Sequence, residues 1–140
     1  TSFPQRFGRY QVLRELGQGG MGAVYLANDT KLDRLVALKL PTLPADQRYL
    51  QRFYREAQSV AGLRHAGICP VFDVGDIDGI HHIAMAYIDG ITLSEYRRSQ
   101  RLSPEQILEL VRRVGEALSV AHQLGVIHRD LKPSNIIVQP

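Results

Sequence analysis

Val126-Ile127-His128-Arg129-Asp130-Leu131-Lys132-Pro133-Ser134-Asn135-Ile136-Ile137-Val138 sets His, Arg, Asp, Lys and Asn within eight positions, between two apolar runs. Chance charge patterning has no need for an Asp, a Lys two residues on and an Asn five residues on. An Asp can accept a hydroxyl proton, a nearby Lys can neutralise charge on a transferring phosphoryl group, and an Asn carbonyl is a hard oxygen ligand suited to Mg²⁺. Asp130, Lys132 and Asn135 are candidates for those three roles. His128, flanked by Ile127 and Arg129, reads instead as a packed structural histidine. The closing run Ile136-Ile137-Val138 is of a kind that normally continues into a sheet, and the chain does not begin with Met, so it reads as a piece of something longer.

Upstream of this stretch the pattern is helical. Ser103-Pro104-Glu105-Gln106 supplies an N-cap, a Pro at N1 and a Gln at N3. The long helix that follows carries Ile107, Val111, Val114, Leu118 and Ala121 as its stripe, widened by Leu108, Leu110, Ala117 and Leu124, with Gly125 as its C′ residue. So much apolar surface predicts burial on several sides. Thr92-x-x-Glu95 is a capping box for a shorter helix before it. Composition shifts from strand-rich to helix-rich near residues 88–92.

Before that shift the period is mostly two. Val71–Val74 and Ile80–Ile88 read as a strand pair joined across Asp76-Ile77-Asp78-Gly79, whose Asp-Gly is a strong hairpin signal. Leu50, Phe53, Ala57, Val60 and Ala61 form one stripe on a helix of roughly 17 residues that Asp46 opens and Gly62 ends. Tyr10–Leu16, Ala23–Asn28 and Leu35–Leu40 read as three strands in an antiparallel meander.

Gly17-Gln18-Gly19-Gly20-Met21-Gly22 fits G-x-G-x-x-G, a weak signal alone. In a dinucleotide-binding fold these glycines leave a strand and open a helix, with an acid about 20 residues on. Here they lie between two strands, and the next apolar run, Val36-Ala37-Leu38-Lys39, ends in a lysine. A ligand-free glycine hairpin and a lysine snorkelling to water fit these segments as well. If the Lys39 ammonium instead meets phosphate oxygens it needs a carboxylate to hold it. Glu56, at the edge of the helical stripe that faces the sheet, is the natural candidate, although a solvated helix position also fits it.

Taken together, the glycine loop 17–22 followed by Val24, then Val36-Ala37-Leu38-Lys39, then Glu56, then His128-Arg129-Asp130-Leu131-Lys132-Pro133-Ser134-Asn135, resemble in their order the first half of a protein kinase domain. The resemblance runs from Tyr10 onward. Leu131-Lys132-Pro133 is similar to serine/threonine rather than tyrosine kinases, and Leu16 to Tyr25 look most like bacterial kinases of eukaryotic type. The implied fold is α+β: a five-stranded antiparallel sheet with one main helix over residues 1–88 as the small lobe, then the start of a helical large lobe over 89–140. The implied activity is transfer of a phosphoryl group from ATP, with Mg²⁺, to Ser or Thr of protein substrates. By the same resemblance the backbone of Gly17, Gln18, Gly19, Gly20, Met21, Gly22 and Ala23 covers the ATP phosphates, while Leu16, Val24 and Ala37 sandwich the adenine. Lys39 holds the α- and β-phosphates and pairs with Glu56. Met85 gates the back of the pocket, and Ala86-Tyr87-Ile88 form the hinge that hydrogen-bonds the base. Asp130 is the catalytic base, Lys132 stabilises phosphoryl charge and Asn135 binds Mg²⁺.

Two departures stand out. Ala86 occupies a hinge position where such kinases often carry Glu, a minor change because the hinge acts through its backbone. No Asp-Phe-Gly occurs in the 140 residues. In kinases that motif follows the Asn by roughly a dozen residues and supplies the principal metal ligand. The 140 residues alone are therefore expected to be inactive, and their uncovered helical faces to drive self-association. A noncatalytic nucleotide-binding or scaffolding module is the alternative, opposed by the joint presence of Lys39, Glu56, Asp130 and Asn135.

Composition agrees with an ordinary globular chain: 44% of residues are apolar and 22% charged. The net charge is +3, and the excess lies early, with ten basic and six acidic side chains in residues 1–75 against seven and eight in 76–140. Trp is absent and no basic run is interleaved with aromatics, so nucleic acid is not an expected partner. Cys69 is the single cysteine, which excludes an internal disulfide or a cysteine metal cage and fits a reducing, cytoplasmic setting. No run approaches the roughly 20 apolar residues of a membrane span, and tethering would have to come from other regions.

Overall fold

The computed structural model describes residues 5–19, 22–41, 47–125 and 136–139, the side chain of Glu56 excepted. The chain forms two compact units, Thr1–Gly62 with Pro70–Tyr87, and Leu63–Cys69 with Ile88–Pro140.

The first unit is built on strands β1 (Arg6–Phe7), β2 (Tyr10–Gly19), β3 (Gly22–Asp29), β4 (Arg34–Leu40), β5 (Val71–Ile77) and β6 (Ile80–Ala86), with helix α1 (Gln47–Ala61) between β4 and β5. All pairings are antiparallel, in the order β1-β2-β3-β4-β6-β5. The expected five-stranded sheet thus has six strands. The addition is β1, two residues long and paired through Phe7↔Tyr10, too short to leave an alternation in the sequence. The Asp-Gly hairpin is tighter than expected. Asp78 and Gly79 alone form its turn, at φ 51° and 82°, as a type I′ turn requires, so Gly75, Asp76 and Ile77 belong to the strand.

Side chains alternate across this sheet, and each face buries its own cluster. On one face Phe7, Tyr10, Ala27, Val36, Leu38, Leu40 and Ala84 form a core, with Val12, Tyr25, Ile77 and Ile80 packed against it. Burial of side chains the size of Leu38 and Val36 contributes about 1.5–3 kcal/mol each. Residues from the two edge strands meet in this cluster. A Cβ on Gly8, in the β1–β2 turn, would lie 2.7 Å from Ile77 Cδ1 on β5, so the sheet curls until its edges approach. The β3–β4 connection is fixed by Asp29, which is buried. Its carboxylate accepts a bidentate pair from Arg9 at 2.8 and 2.7 Å and the backbone N–H of Lys31 at 3.1 Å. The Arg9 guanidinium, aided by these N–H donors, holds the Asp29 carboxyl below the usual carboxylate range.

On the other face α1 packs through Phe53 and Ala57 against Ile83, with Tyr54, Val71, Val74 and Met85 around them. The helix has 15 residues rather than about 17, and Asp46 lies outside the described residues. The buried stripe is narrower than the sequence pattern, because Ala61 at the last turn is exposed.

In the second unit β7 (Ile91–Thr92) pairs with β8 (Ile137–Val138), α2 spans Leu93–Ser99 and α3 spans Pro104–Gln123. Thr92 caps α2 by accepting from the Glu95 N–H, and Ser103 with Gln106 forms a full reciprocal capping box on α3, both as the sequence reads. Gly125 follows α3 at φ 80°, and its N–H donates to His122 O at 3.0 Å, the C′ geometry expected of it. Burial of α3 departs from expectation. Ala117 and Ala121 are buried, but Ile107, Val111 and Leu124 are exposed and Leu108 is 70% exposed. The stripe is present, yet the described elements do not supply enough surface to cover it. Glu109 on this helix is drawn down to about 2 by Arg112 and Arg113.

Candidate functional site

Strand register brings the early candidates together on the face of the sheet that α1 only partly covers. Gly17 pairs with Val24, Val24 with Lys39 and Lys39 with Ile83. One rung along, Leu26 pairs with Ala37 and Ala37 with Met85. Directly paired residues and their i+2 neighbours share a face. Val24, Leu26, Ala37, Lys39, Ile83 and Met85 therefore form one surface. Ile83 and Met85 lie at the α1 end, while Val24, Ala37 and Lys39 lie nearer the glycine turn. Ala37 is buried, Val24, Lys39 and Met85 are half-buried.

Beside this surface the β2–β3 ladder runs to Gln18↔Ala23 and Gly19↔Gly22, while Gly20 and Met21 lie outside the described residues. A register shift between Glu15 and Gly17 sets Leu16 at a bulge, which re-aims the chain as it enters the turn. The two described ends of the turn differ. Among the described residues a Cβ on Gly17 would meet nothing within 4 Å, whereas on Gly22, at φ 124°, it would lie 1.9 Å from Leu40 O. Gly22 is demanded by the packing of β3 on β4. The packing of the described residues makes no such demand at Gly17.

At the other end of the surface β6 stops at Ala86, whose N–H donates to Pro70 O at 3.0 Å. Tyr87 closes the first unit and Ile88 begins the second. Glu56 sits on α1 between Phe53 and Ala57, the two residues that seat the helix on the sheet. Asp130, Lys132 and Asn135, with the rest of 126–135, lie outside the described residues, and β8 follows them directly. Two members of the surface, Leu26 and Ile83, were not singled out in the sequence reading. Period-two alternation from Val24 gives Leu26. Ile83 needs the β4–β6 pairing, which joins strands 40 residues apart and leaves no local signal.

A glycine-bounded connection, a strand-borne lysine and a packed helix thus belong to one unit of the chain. A profile of the protein kinase domain matches residues 10–140, and the chain belongs to that family. It is 43% identical over 134 residues to the serine/threonine-protein kinase PrkC of Bacillus subtilis, covering 94% of this chain and 21% of the relative. It is 43% identical over 136 residues to the serine/threonine-protein kinase PknE of Mycobacterium tuberculosis, covering 95% and 24%. The crystal structure of the Mycobacterium tuberculosis PknI kinase domain is similar at a TM-score of 0.83 and 36% identity, over 99% of this chain and 59% of that one. The chain thus spans about a fifth to a quarter of the curated relatives and rather more than half of the solved domain. The fold is that of a protein kinase, α+β, with a six-stranded antiparallel sheet and three helices among the described residues.

Proposed function

We propose that this chain is the nucleotide-binding part of a protein serine/threonine kinase that transfers the γ-phosphoryl group of ATP to Ser or Thr of protein substrates. The observation that carries the reading is the shared face of Val24, Ala37, Lys39 and Met85 next to Gly17, where the described residues leave open space. The names of the relatives, all serine/threonine kinases, support it.

Members of the family use ATP and a divalent cation, and the chemistry of the chain suits both. When bound, Mg·ATP supplies the transferable phosphoryl group and the charge-neutralising metal. N–H groups of residues 17–23 face the phosphates, Lys39 holds them as a point charge, and Glu56 orients Lys39. Leu16, Val24 and Ala37 enclose the base, Met85 closes the back, and backbone groups of Ala86, Tyr87 and Ile88 fix its edge. Asp130 accepts the proton of the attacking hydroxyl, Lys132 offsets charge on the moving group, and Asn135 offers a hard oxygen to Mg²⁺.

Thermal unfolding of the chain with and without Mg·ATP tests this reading. At a nucleotide concentration 100 times Kd, the parent should gain about 2.7 kcal/mol. Lys39→Met should lose most of that gain while unfolding at nearly the same temperature without ligand. A parent blind to nucleotide, or a mutant that responds equally, defeats the reading. Phosphate transfer by the 140 residues alone should be undetectable, since they carry no Asp-Phe-Gly.

The exposed apolar face of α3 adds a second expectation, self-association of the isolated chain. Ile107, Leu108 and Val111 lie three and four residues apart and form one patch. Light scattering should show oligomers for the parent and a monomer for Leu108→Lys combined with Val111→Lys. A monodisperse parent would rule this out.

A further inference from the structure

The interior of the curled sheet holds a titratable group for which the nucleotide reading has no use. His82, in the middle of β6, is 3% exposed, and neither ring nitrogen has a hydrogen-bond partner among the described residues. Its ring meets the edge of Phe7 at 5.5 Å between centroids and that of Tyr10 at 5.6 Å. Phe7 and Tyr10 are the paired residues that close the β1–β2 hairpin, so the imidazole forms part of the hairpin's seat.

The charged surroundings are sparse. From β5, Asp73 Oδ2 lies 3.6 Å from His82 Nε2, beyond hydrogen-bond reach, and is also approached by the Tyr10 hydroxyl at 3.5 Å. Asp76, also on β5, adds a weaker attraction and His81, next along β6, a weak repulsion. From the β1–β2 turn, Arg9 is committed to Asp29 of β3. From β4, Arg34 stacks on the Phe72 ring at 3.7 Å and lines a cavity of about 220 Å³ with Tyr10 and Asp73. Burial outweighs the pull of Asp73 and holds His82 below the usual imidazole range.

We propose that His82 is an acid-sensitive latch, whose protonation unseats Phe7 and Tyr10 and releases the β1–β2 hairpin from the interior of the sheet. A neutral imidazole tolerates an apolar seat. An imidazolium has two N–H donors, and only Nε2 has an acceptor nearby. The Nδ1 proton can be satisfied only by admitting water past the Phe7 and Tyr10 rings, and this opens the hairpin. Because the folded chain binds this proton less readily than the unfolded chain, stability is full above about pH 6.5. It falls as pH drops through the window between that value and the depressed folded value, and the group contributes no further loss below it.

The test compares the parent chain with His82→Phe and Asp73→Asn at pH 7.5 and 5.5. The parent's unfolding midpoint should drop on acidification by about 2–5 °C more than that of His82→Phe. Asp73→Asn should drop further than the parent, since the main group favouring the charged ring is gone. Amide exchange at Phe7 and Tyr10 to Val12, corrected for intrinsic rates, should lose about tenfold in protection at pH 5.5 in the parent and keep it in His82→Phe. Equal midpoint drops in parent and His82→Phe, or unchanged protection in the parent, overturn the latch. Should His82→Phe fail to fold, the His82 ring titration in the parent decides by NMR. A ring that protonates at or above pH 6.5 overturns the proposal, and one that protonates below it together with loss of Phe7 amide protection upholds it.

Discussion

Replacing Phe53 by Ala should destabilise the first unit by about 3–5 kcal/mol. Phe53 is 1% exposed and is the largest fully buried side chain of α1, where it meets Ile83 together with Ala57 and touches Tyr54 edge-on at 5.7 Å. Its loss leaves a ring-sized gap between a rigid sheet and a helix that has few other anchors. What remains is the small Ala57 contact and the Tyr54 side chain, whose hydroxyl donates to Gly75 O at 2.9 Å and meets His81 Nδ1. Tyr54→Phe should accordingly cost only about 1 kcal/mol. Domains retain about 5–15 kcal/mol of net stability, so the Phe53 change removes a large share of it. Chemical denaturation read by far-UV circular dichroism measures both. A Phe53→Ala loss below that of Tyr54→Phe would show that α1 is held by its polar contacts instead. Since Glu56 rides on α1 between Phe53 and Ala57, the nucleotide response should weaken in the same variant.

The two glycines at the ends of the turn should separate sharply. Gly22→Ala places a Cβ 1.9 Å from Leu40 O and 2.9 Å from Leu40 C, at a φ of 124° that side chains rarely adopt. These neighbours are backbone and cannot swing aside. Relief requires β3 to leave β4 at the Ala23↔Leu40 pair, beside Val24↔Lys39. The expected cost exceeds about 3 kcal/mol, in the range reserved for backbone conflicts and core voids. Gly17→Ala meets nothing within 4 Å among the described residues and sits outside the left-handed region, so stability should change by less than about 0.5 kcal/mol. Its effect should fall on ligand instead, as a reduced Mg·ATP shift. Unfolding midpoints for the pair with and without nucleotide check this. A Gly17 variant that unfolds as readily as the Gly22 variant would make the turn a purely structural feature.

The sequence alone determined the elements whose signals are local. Asp78-Gly79 dictates a two-residue turn because both positions need positive φ, and Ser103 with Gln106 dictates where α3 begins because each satisfies the other's backbone. Lys39 lies next to the end of a strand because the apolar run from Leu35 to Leu38 favours one and Pro41 stops it. With strands placed, period two puts Val24, Ala37, Lys39 and Met85 on faces that can meet, so much of the candidate surface was legible. Asp130, Lys132 and Asn135 were legible only as residues in order, and they lie outside the described structure.

Tertiary structure alone decided what depends on partners far along the chain. Two-residue β1 exists because Phe7 and Tyr10 find a core made by β3, β4 and β6. The α3 stripe predicted burial, but burial needs a second surface, and the described elements cover it only at Ala117 and Ala121. Gly17 and Gly22 look alike in sequence, and only the position of Leu40, 18 residues after Gly22, tells them apart. His82 stands in the sequence as one of two adjacent histidines on a strand. Closure of the sheet, which brings Phe7 against it from 75 residues away, makes one of them a buried base and leaves its neighbour hydrogen-bonded to Tyr54. Propensity is set by the nearest few residues, whereas burial and pairing are set by whichever segments the chain's topology brings together, and no local pattern encodes that meeting.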